Sequence, residues 1–206
     1  NRLIMKKLLI LGAGTGGTIM ANKLSKVLDS SEWEITIVDA EKDHYYQPGF
    51  LFIPFGIYNK QDVIKPKANF MPPGVKLIFQ KIEIIEPDKN RVVLEDGTIL
   101  NYDWMIISTG TRIVPEETPG MVDKLWRKNI FDFYSIDGAV ALREFFRSWE
   151  GGKMVMAISE MPIKCPVTPL EFRFLDDYFF HEQGVRDRVD LPFVTPLPEA
   201  FTEPIS

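Results

Sequence analysis

The sequence predicts an α/β fold assembled from strand–turn–helix units, and three observations carry that reading. Leu8-Leu9-Ile10-Leu11 is an apolar run that suits a parallel strand covered on both faces. It leads straight into a turn spelling Gly-x-Gly-x-x-Gly at Gly12, Gly14 and Gly17, with a second strand, Trp33 to Val38, ending in Asp39. A further strand, Lys153 to Ile158, opens another strand–loop–helix unit after intervening strands and turns. The pattern is that of a Rossmann-like dinucleotide-binding domain containing an antiparallel meander, followed by the start of a second Rossmann-like domain. The expected division is 5–112, a connecting segment and helix over 113–150, and 151–206.

Each glycine of the turn has a steric task. Gly12 permits the tight bend, Gly14 lets a pyrophosphate approach the backbone, and Gly17 lets the following helix, expected over Thr18 to Leu28, sit close to the strand. That helix would aim unpaired N–H groups and the positive end of its dipole at the phosphates. Its apolar positions Ile19, Met20, Leu24, Val27 and Leu28 are read as core. Asp39 lies about 20 residues past the glycines, where a ribose hydroxyl acceptor is expected, the other reading being a solvated carboxylate.

After Asp39, the aromatic loop Asp43 to Phe52 is broken by Pro48-Gly49 and either borders the ligand crevice or is simply anchored by its rings. Lys60 to Met71 reads as a short helix or turn with a proline-containing loop, and Val75 to Phe79 as a strand. Lys81 to Pro87, Arg91 to Glu95 and Thr98 to Leu100 read as the meander, with turns at Pro87 to Asn90 and Asp96-Gly97. The strand from Asp103 ends in Ser108-Thr109-Gly110, small residues against which a cofactor can lie. A helix is expected over Ile136 to Trp149, stopped by Gly151-Gly152.

In the second unit the loop Ser159 to Val167 carries no glycine and two prolines, which argues against NAD(P)H as electron donor. It carries instead Cys165, with Lys164 beside it, three residues before Thr168-Pro169-Leu170-Glu171. That segment reads as a capping-box start to a helix through Phe172, Phe174, Leu175, Tyr178 and Phe179, ending at Gly184. A helix N-terminus and a neighbouring cation both favour thiolate. Val189 to Val194 would begin a second sheet, one that stops after two strands and leaves an open edge.

Net charge −5 supplies no basic footprint for nucleic acid. One cysteine excludes a disulfide within these 206 residues, and two histidines, His44 and His181, leave little for a metal site, so none is expected. No apolar run approaches the length of a membrane span, and the run after Met5-Lys6-Lys7 is cut short by the glycine turn. Met5 reads as the native start, residues 1–4 as an added or upstream remnant, and the location as cytoplasmic with a peripheral membrane position open.

Together, Gly12-x-Gly14-x-x-Gly17, Tyr46-Gln47-Pro48, Ser108-Thr109-Gly110 and Pro162-Ile163-Lys164-Cys165-Pro166 resemble the sulfide:quinone oxidoreductase family of two-dinucleotide-domain flavoproteins, from Met5 to about Pro204. The glycine and Ser-Thr-Gly motifs mark the superfamily, and the cysteine segment is the selective part. The resemblance implies FAD, with Asp39 on the adenosine ribose and Pro48, Thr109 and Gly110 among the cofactor-binding residues. It implies that Cys165 is a redox cysteine and that Glu171 handles protons, beside its plain reading as part of a helix cap. Hydrosulfide would attack a cysteine disulfide or sulfur bridge, electrons would pass through the flavin to a quinone, and sulfur would leave as persulfide or polysulfide. That chemistry needs at least two cysteines and family members are roughly twice this length. The chain is therefore expected to be an N-terminal portion, its partner being the C-terminal half that carries the second cysteine and the membrane-seating helices, with a homo-oligomer possible. A flavoprotein subunit of a sulfide dehydrogenase, another quinone-reducing flavoprotein and a non-catalytic flavin-binding electron-transfer subunit are the alternatives.

Overall fold

The computed structural model describes residues 5–198. The residues before Met5 and the end of the Pro-rich stretch beyond 198 lie outside the described residues. Two compact units form: the residues up to Tyr45 with Ile64–Arg112, and Tyr46–Val63 with the residues from Ile113 on.

The first unit is built on four parallel strands: β1 (Lys6–Leu11), β2 (Trp33–Asp39), β5 (Val75–Phe79) and β9 (Trp104–Ile107), in the order β5-β2-β1-β9. Leu8 pairs with Ile35 on one side and with Trp104 on the other. Leu8, Leu9, Ile10 and Leu11 are all buried, because both faces of β1 are covered. On one face Leu8 and Ile10 join Ile35, Ile37 and Ala21 of helix α1 (Thr15–Leu24). On the other, Leu9, Leu11 and Val38 meet Val92, Leu94 and Tyr102. Val92 and Leu94 come from the antiparallel meander β6 (Ile82–Glu86), β7 (Arg91–Leu94) and β8 (Ile99–Asn101). A short antiparallel pair, β3 (Asp43–Tyr45) and β4 (Ile64–Pro66), completes the unit.

Helix α1 starts and stops earlier than its apolar spacing suggests. Its first bond, from the Thr18 amide to the Gly14 carbonyl (3.0 Å), already includes the glycine turn. Val27 is 74% exposed and Ile19 49%, so burial rewards no further turn after Leu24.

Among the described residues the second unit has helix α2 (Ile136–Phe146), helix α3 (Thr168–Glu182) and four two-residue strands. Phe146, Phe172, Phe180, Leu142 and Leu51 form its core, flanked by Phe52 and Phe55. The Tyr46–Val63 segment, expected within the first domain, belongs here because its rings find partners here: Phe55 lies 4.9 Å from Phe172, centroid to centroid. The strand expected over Lys153 to Ile158 is split into β10 (Gly152–Lys153) and β11 (Met156–Ala157), parallel to β12 (Val189–Asp190) and β13 (Phe193–Val194). Pro192 has no N–H to donate between the two pairs, and its carbonyl accepts from the Met156 amide (3.0 Å) and from Arg173 Nη2 (3.0 Å).

The capping box at the start of α3 does not form. Thr168 is already helical, the N-cap is Val167, and no side chain caps the helix. Of the aromatic positions along this helix, Phe174 and Tyr178 are 74% and 65% exposed. Facing inward beside Phe172 and Phe180 is Asp176, fully buried, whose Oδ2 accepts from Arg173 Nη1 (2.9 Å). Burial pushes the Asp176 carboxyl up to about 7 although Arg173 opposes the shift. An acid raised in the folded state contributes stability below its unfolded value, near 4, that is lost as pH rises through 7. The stability of the second unit against thermal unfolding is expected to fall between pH 5 and 8, by on the order of 3 kcal/mol. Asp176→Asn should flatten that slope, and an unchanged slope would remove Asp176 as its source.

Candidate functional site

The glycine turn is shaped by backbone approaches that exclude side chains. Gly12 has φ +93°, and a Cβ there would stand 2.4 Å from the Ser108 carbonyl oxygen. A Cβ on Gly17 would stand 1.8 Å from the Gly12 carbonyl oxygen. At Gly14 a Cβ would meet nothing within 4 Å, so this face of the turn is open. Gly14 is also the N-cap of α1 and supplies no side-chain acceptor, which leaves the first amides of the helix for an anion.

Ser108 fastens the turn from the neighbouring strand. Its amide donates to the Leu11 carbonyl (2.8 Å), and its Oγ lies 2.9 Å from the carbonyls of both Leu11 and Gly12. Thr109 and Gly110 follow directly, exposed, with Gly110 at φ +71° and open space where a Cβ would be. Parallel pairing of Leu11 with Ile107 thus brings Gly12, Gly14, Thr109 and Gly110 to the carboxyl ends of adjacent strands, where ligands bind in open parallel sheets.

Asp39 joins them from β2, and it is not a solvated carboxylate. Its Oδ2 accepts from the Ala13 amide within the glycine turn (2.7 Å). Its Oδ1 accepts from the Glu41 amide (2.8 Å) and is ion-paired with Lys67 Nζ (2.7 Å). Lys67 is 5% exposed and has no place in the sequence reading. Nothing in Pro66-Lys67-Ala68 distinguishes it from a surface lysine; only the fold brings it to Asp39.

An open glycine face, uncapped helix amides, a carboxylate at the end of β2 and small residues after β9 fit a bound dinucleotide. Gly12, Gly14, Gly17, Asp39, Thr109 and Gly110 share this unit. Pro48, Cys165 and Glu171 belong to the second unit.

There Cys165 is an exposed free thiol in left-handed backbone, φ +58°, two residues ahead of the N-cap of α3. Its carbonyl accepts from the Thr168 amide (3.2 Å) and from the Tyr134 hydroxyl (3.3 Å). Lys164 Nζ bonds Gln47 Oε1, so the Tyr46-Gln47-Pro48 segment and the cysteine loop are tied together. Tyr134 was not legible as a site residue. It sits in an Asx turn in which Asp132 Oδ1 accepts from the Tyr134 and Ser135 amides, just before Ser135 caps α2. Burial, together with the negative charges of Cys165 and Glu171, pushes its phenol up to about 12, against a lowering hydrogen bond from Thr168. Tyr134 therefore remains an O–H donor through the neutral range. Glu171 is exposed on the first turn of α3.

Among the described residues no cluster of His, Cys, Asp and Glu could hold a metal ion. No helix among them is long and apolar enough to cross a membrane.

The family model described as pyridine nucleotide-disulphide oxidoreductase matches residues 6–144. The mitochondrial sulfide:quinone oxidoreductase of Dictyostelium discoideum is 28% identical over 188 residues, covering 91% of this chain and 41% of that protein. The crystal structure of the Aquifex aeolicus sulfide:quinone oxidoreductase superposes with a TM-score of 0.77 at 23% identity, over 94% of this chain and 44% of that one. A type II NADH:quinone oxidoreductase of Staphylococcus haemolyticus is 31% identical over 106 residues, 51% of this chain and 26% of that protein. The chain thus spans less than half the length of these relatives.

Proposed function

This chain belongs to the pyridine nucleotide-disulphide oxidoreductase family, and from that premise we propose that it is the N-terminal portion of an FAD-dependent sulfide:quinone oxidoreductase. The family and the sulfide:quinone oxidoreductases are FAD-binding flavoproteins. FAD-dependent, quinone-linked redox activity is the coarser statement that similarity to both sulfide:quinone and NADH:quinone oxidoreductases supports. The observation that favours sulfide is the loop Ser159 to Val167. Where a nicotinamide dinucleotide would need a glycine turn, it presents an exposed Cys165 at φ +58°.

In this reading Gly12, Gly14, Gly17, Asp39, Thr109 and Gly110 hold FAD, and Pro48 completes the cofactor-binding set. Bound FAD supplies a two-electron acceptor that returns the electrons to a quinone. Cys165 forms a disulfide or sulfur bridge with a second cysteine from the remainder of a longer protein, since these 206 residues contain one. Hydrosulfide attacks the Cys165 sulfur, the S–S bond breaks, its electron pair leaves on the partner as thiolate, and Cys165 becomes the persulfide. Glu171, exposed near Tyr134, takes the proton released from the incoming sulfur. The C-terminal half completes the site and seats the protein on a membrane surface, with a homo-oligomer as the assembled form.

Anaerobic sulfide titration of the flavin spectrum tests the assignment. Bleaching by sulfide, restored by a soluble quinone, supports it. Bleaching by NADH and not by sulfide would instead favour the NADH:quinone reading that the Staphylococcus relative suggests. Bound flavin bleached by neither would leave an electron-transfer subunit.

A further inference from the structure

We propose that Lys67 is a cofactor-binding residue, and that it and Asp39 together read the adenosine ribose. The inference rests on the FAD reading of the glycine turn and goes beyond it in adding a cation that the dinucleotide fingerprint does not contain.

A carboxylate offers about four lone-pair sites. Two on Asp39 are taken by the amides of Ala13 and Glu41, and Lys67 Nζ stands 2.7 Å from Oδ1 as its ion-pair partner. A ribose presents two vicinal hydroxyls, and with Lys67 Nζ seated against Oδ1 the carboxylate is left to accept from one of them. The ammonium of Lys67 has three N–H donors, and among the described residues Asp39 is its one partner. The second hydroxyl therefore accepts from Lys67 while the first donates to Asp39. Both side chains are withdrawn from water, at 7% and 15% exposure, so an unmatched donor or acceptor here carries its full desolvation penalty. The arrangement also explains why a lysine is buried at all. It neutralises a carboxylate that is bonded into the glycine turn through Ala13, and it keeps that carboxylate oriented while the site is vacated and refilled.

The test is the FAD dissociation constant of the purified full chain, from flavin fluorescence quenching, for wild type, Lys67→Met and Lys67→Arg. Lys67→Met is expected to weaken FAD by about tenfold or more, and Lys67→Arg by no more than about threefold. Wild type should prefer FAD over its 2′-deoxyadenosine analogue by about tenfold, and Lys67→Met should lose that preference. If Lys67→Met does not fold with Asp39 left unpaired, Asp39→Asn and Asp39→Asn/Lys67→Met are compared instead, and the double variant is expected to bind FAD about tenfold more weakly than Asp39→Asn alone. FAD affinity within about twofold of wild type in the folded variant, with the analogue preference intact, would overturn the role of Lys67 while leaving the cofactor reading standing. A wild-type chain that binds no FAD would overturn both.

Discussion

Cys165→Ser is expected to keep FAD and to lose sulfide-driven bleaching of the flavin by at least about 100-fold. Cys165 is exposed, so serine removes little packing, and its backbone bonds to Thr168 and Tyr134 involve only the carbonyl. The substitution therefore acts on one bond-forming atom. A serine hydroxyl neither ionises near neutral pH nor forms the sulfur–sulfur bond that hydrosulfide must attack. Stopped-flow absorbance at the flavin band, under anaerobic sulfide, gives the rate directly, and thermal unfolding checks that the fold survives. A variant that bleaches at the wild-type rate would end the proposal that this thiol takes part. NADH serves as the second reductant in the same instrument. The glycine-free loop before α3 predicts that NADH leaves the flavin oxidised in wild type and variant alike.

The second large effect is at Gly17. A Cβ there would lie 1.8 Å from the Gly12 carbonyl oxygen and 2.8 Å from Ser108 Oγ, and the first of these is backbone that cannot swing aside. Gly17→Ala is therefore expected to force α1 away from β1, to cost on the order of 3 kcal/mol or more, and to abolish FAD binding with it. Gly14→Ala makes the informative contrast. Its φ of −72° suits any residue and nothing lies within 4 Å of the added methyl, so the fold should lose less than about 1 kcal/mol. The methyl would stand where the pyrophosphate approaches, so FAD affinity should still fall by about tenfold or more. Thermal unfolding and FAD titration of the two variants separate the steric from the cofactor role. Equal loss of stability in both, or undiminished FAD binding in Gly14→Ala, would contradict this division.

Much of the first unit was legible because its signals are local. Four apolar residues before a glycine triplet specify a buried strand and a tight turn whatever the rest of the chain does, and β1, β2, β5, β9 and the meander lie where periodicity and turn residues place them. Other readings failed where a local pattern competed with packing. Thr168 and Glu171 have the spacing of a capping box, yet the helix begins at Thr168 itself, so its hydroxyl is not in cap position. Apolar periodicity alone could not tell that α3 would turn Asp176 inward while Phe174 and Tyr178 face out.

By itself the sequence determined the parallel fold, the glycine turn with its acidic partner at Asp39, and the presence of a single thiol in a loop unsuited to a dinucleotide. These depend on steric limits and side-chain chemistry carried by neighbouring residues. Tertiary structure alone decided that Lys67 neutralises Asp39, that Ser108 fastens Gly12, that Tyr134 donates to the cysteine peptide, and that Tyr46–Val63 packs within the second unit. Each of these joins residues far apart in the chain. Burial and charge pairing select such partners only once the backbone has brought them together, and no local pattern records the choice.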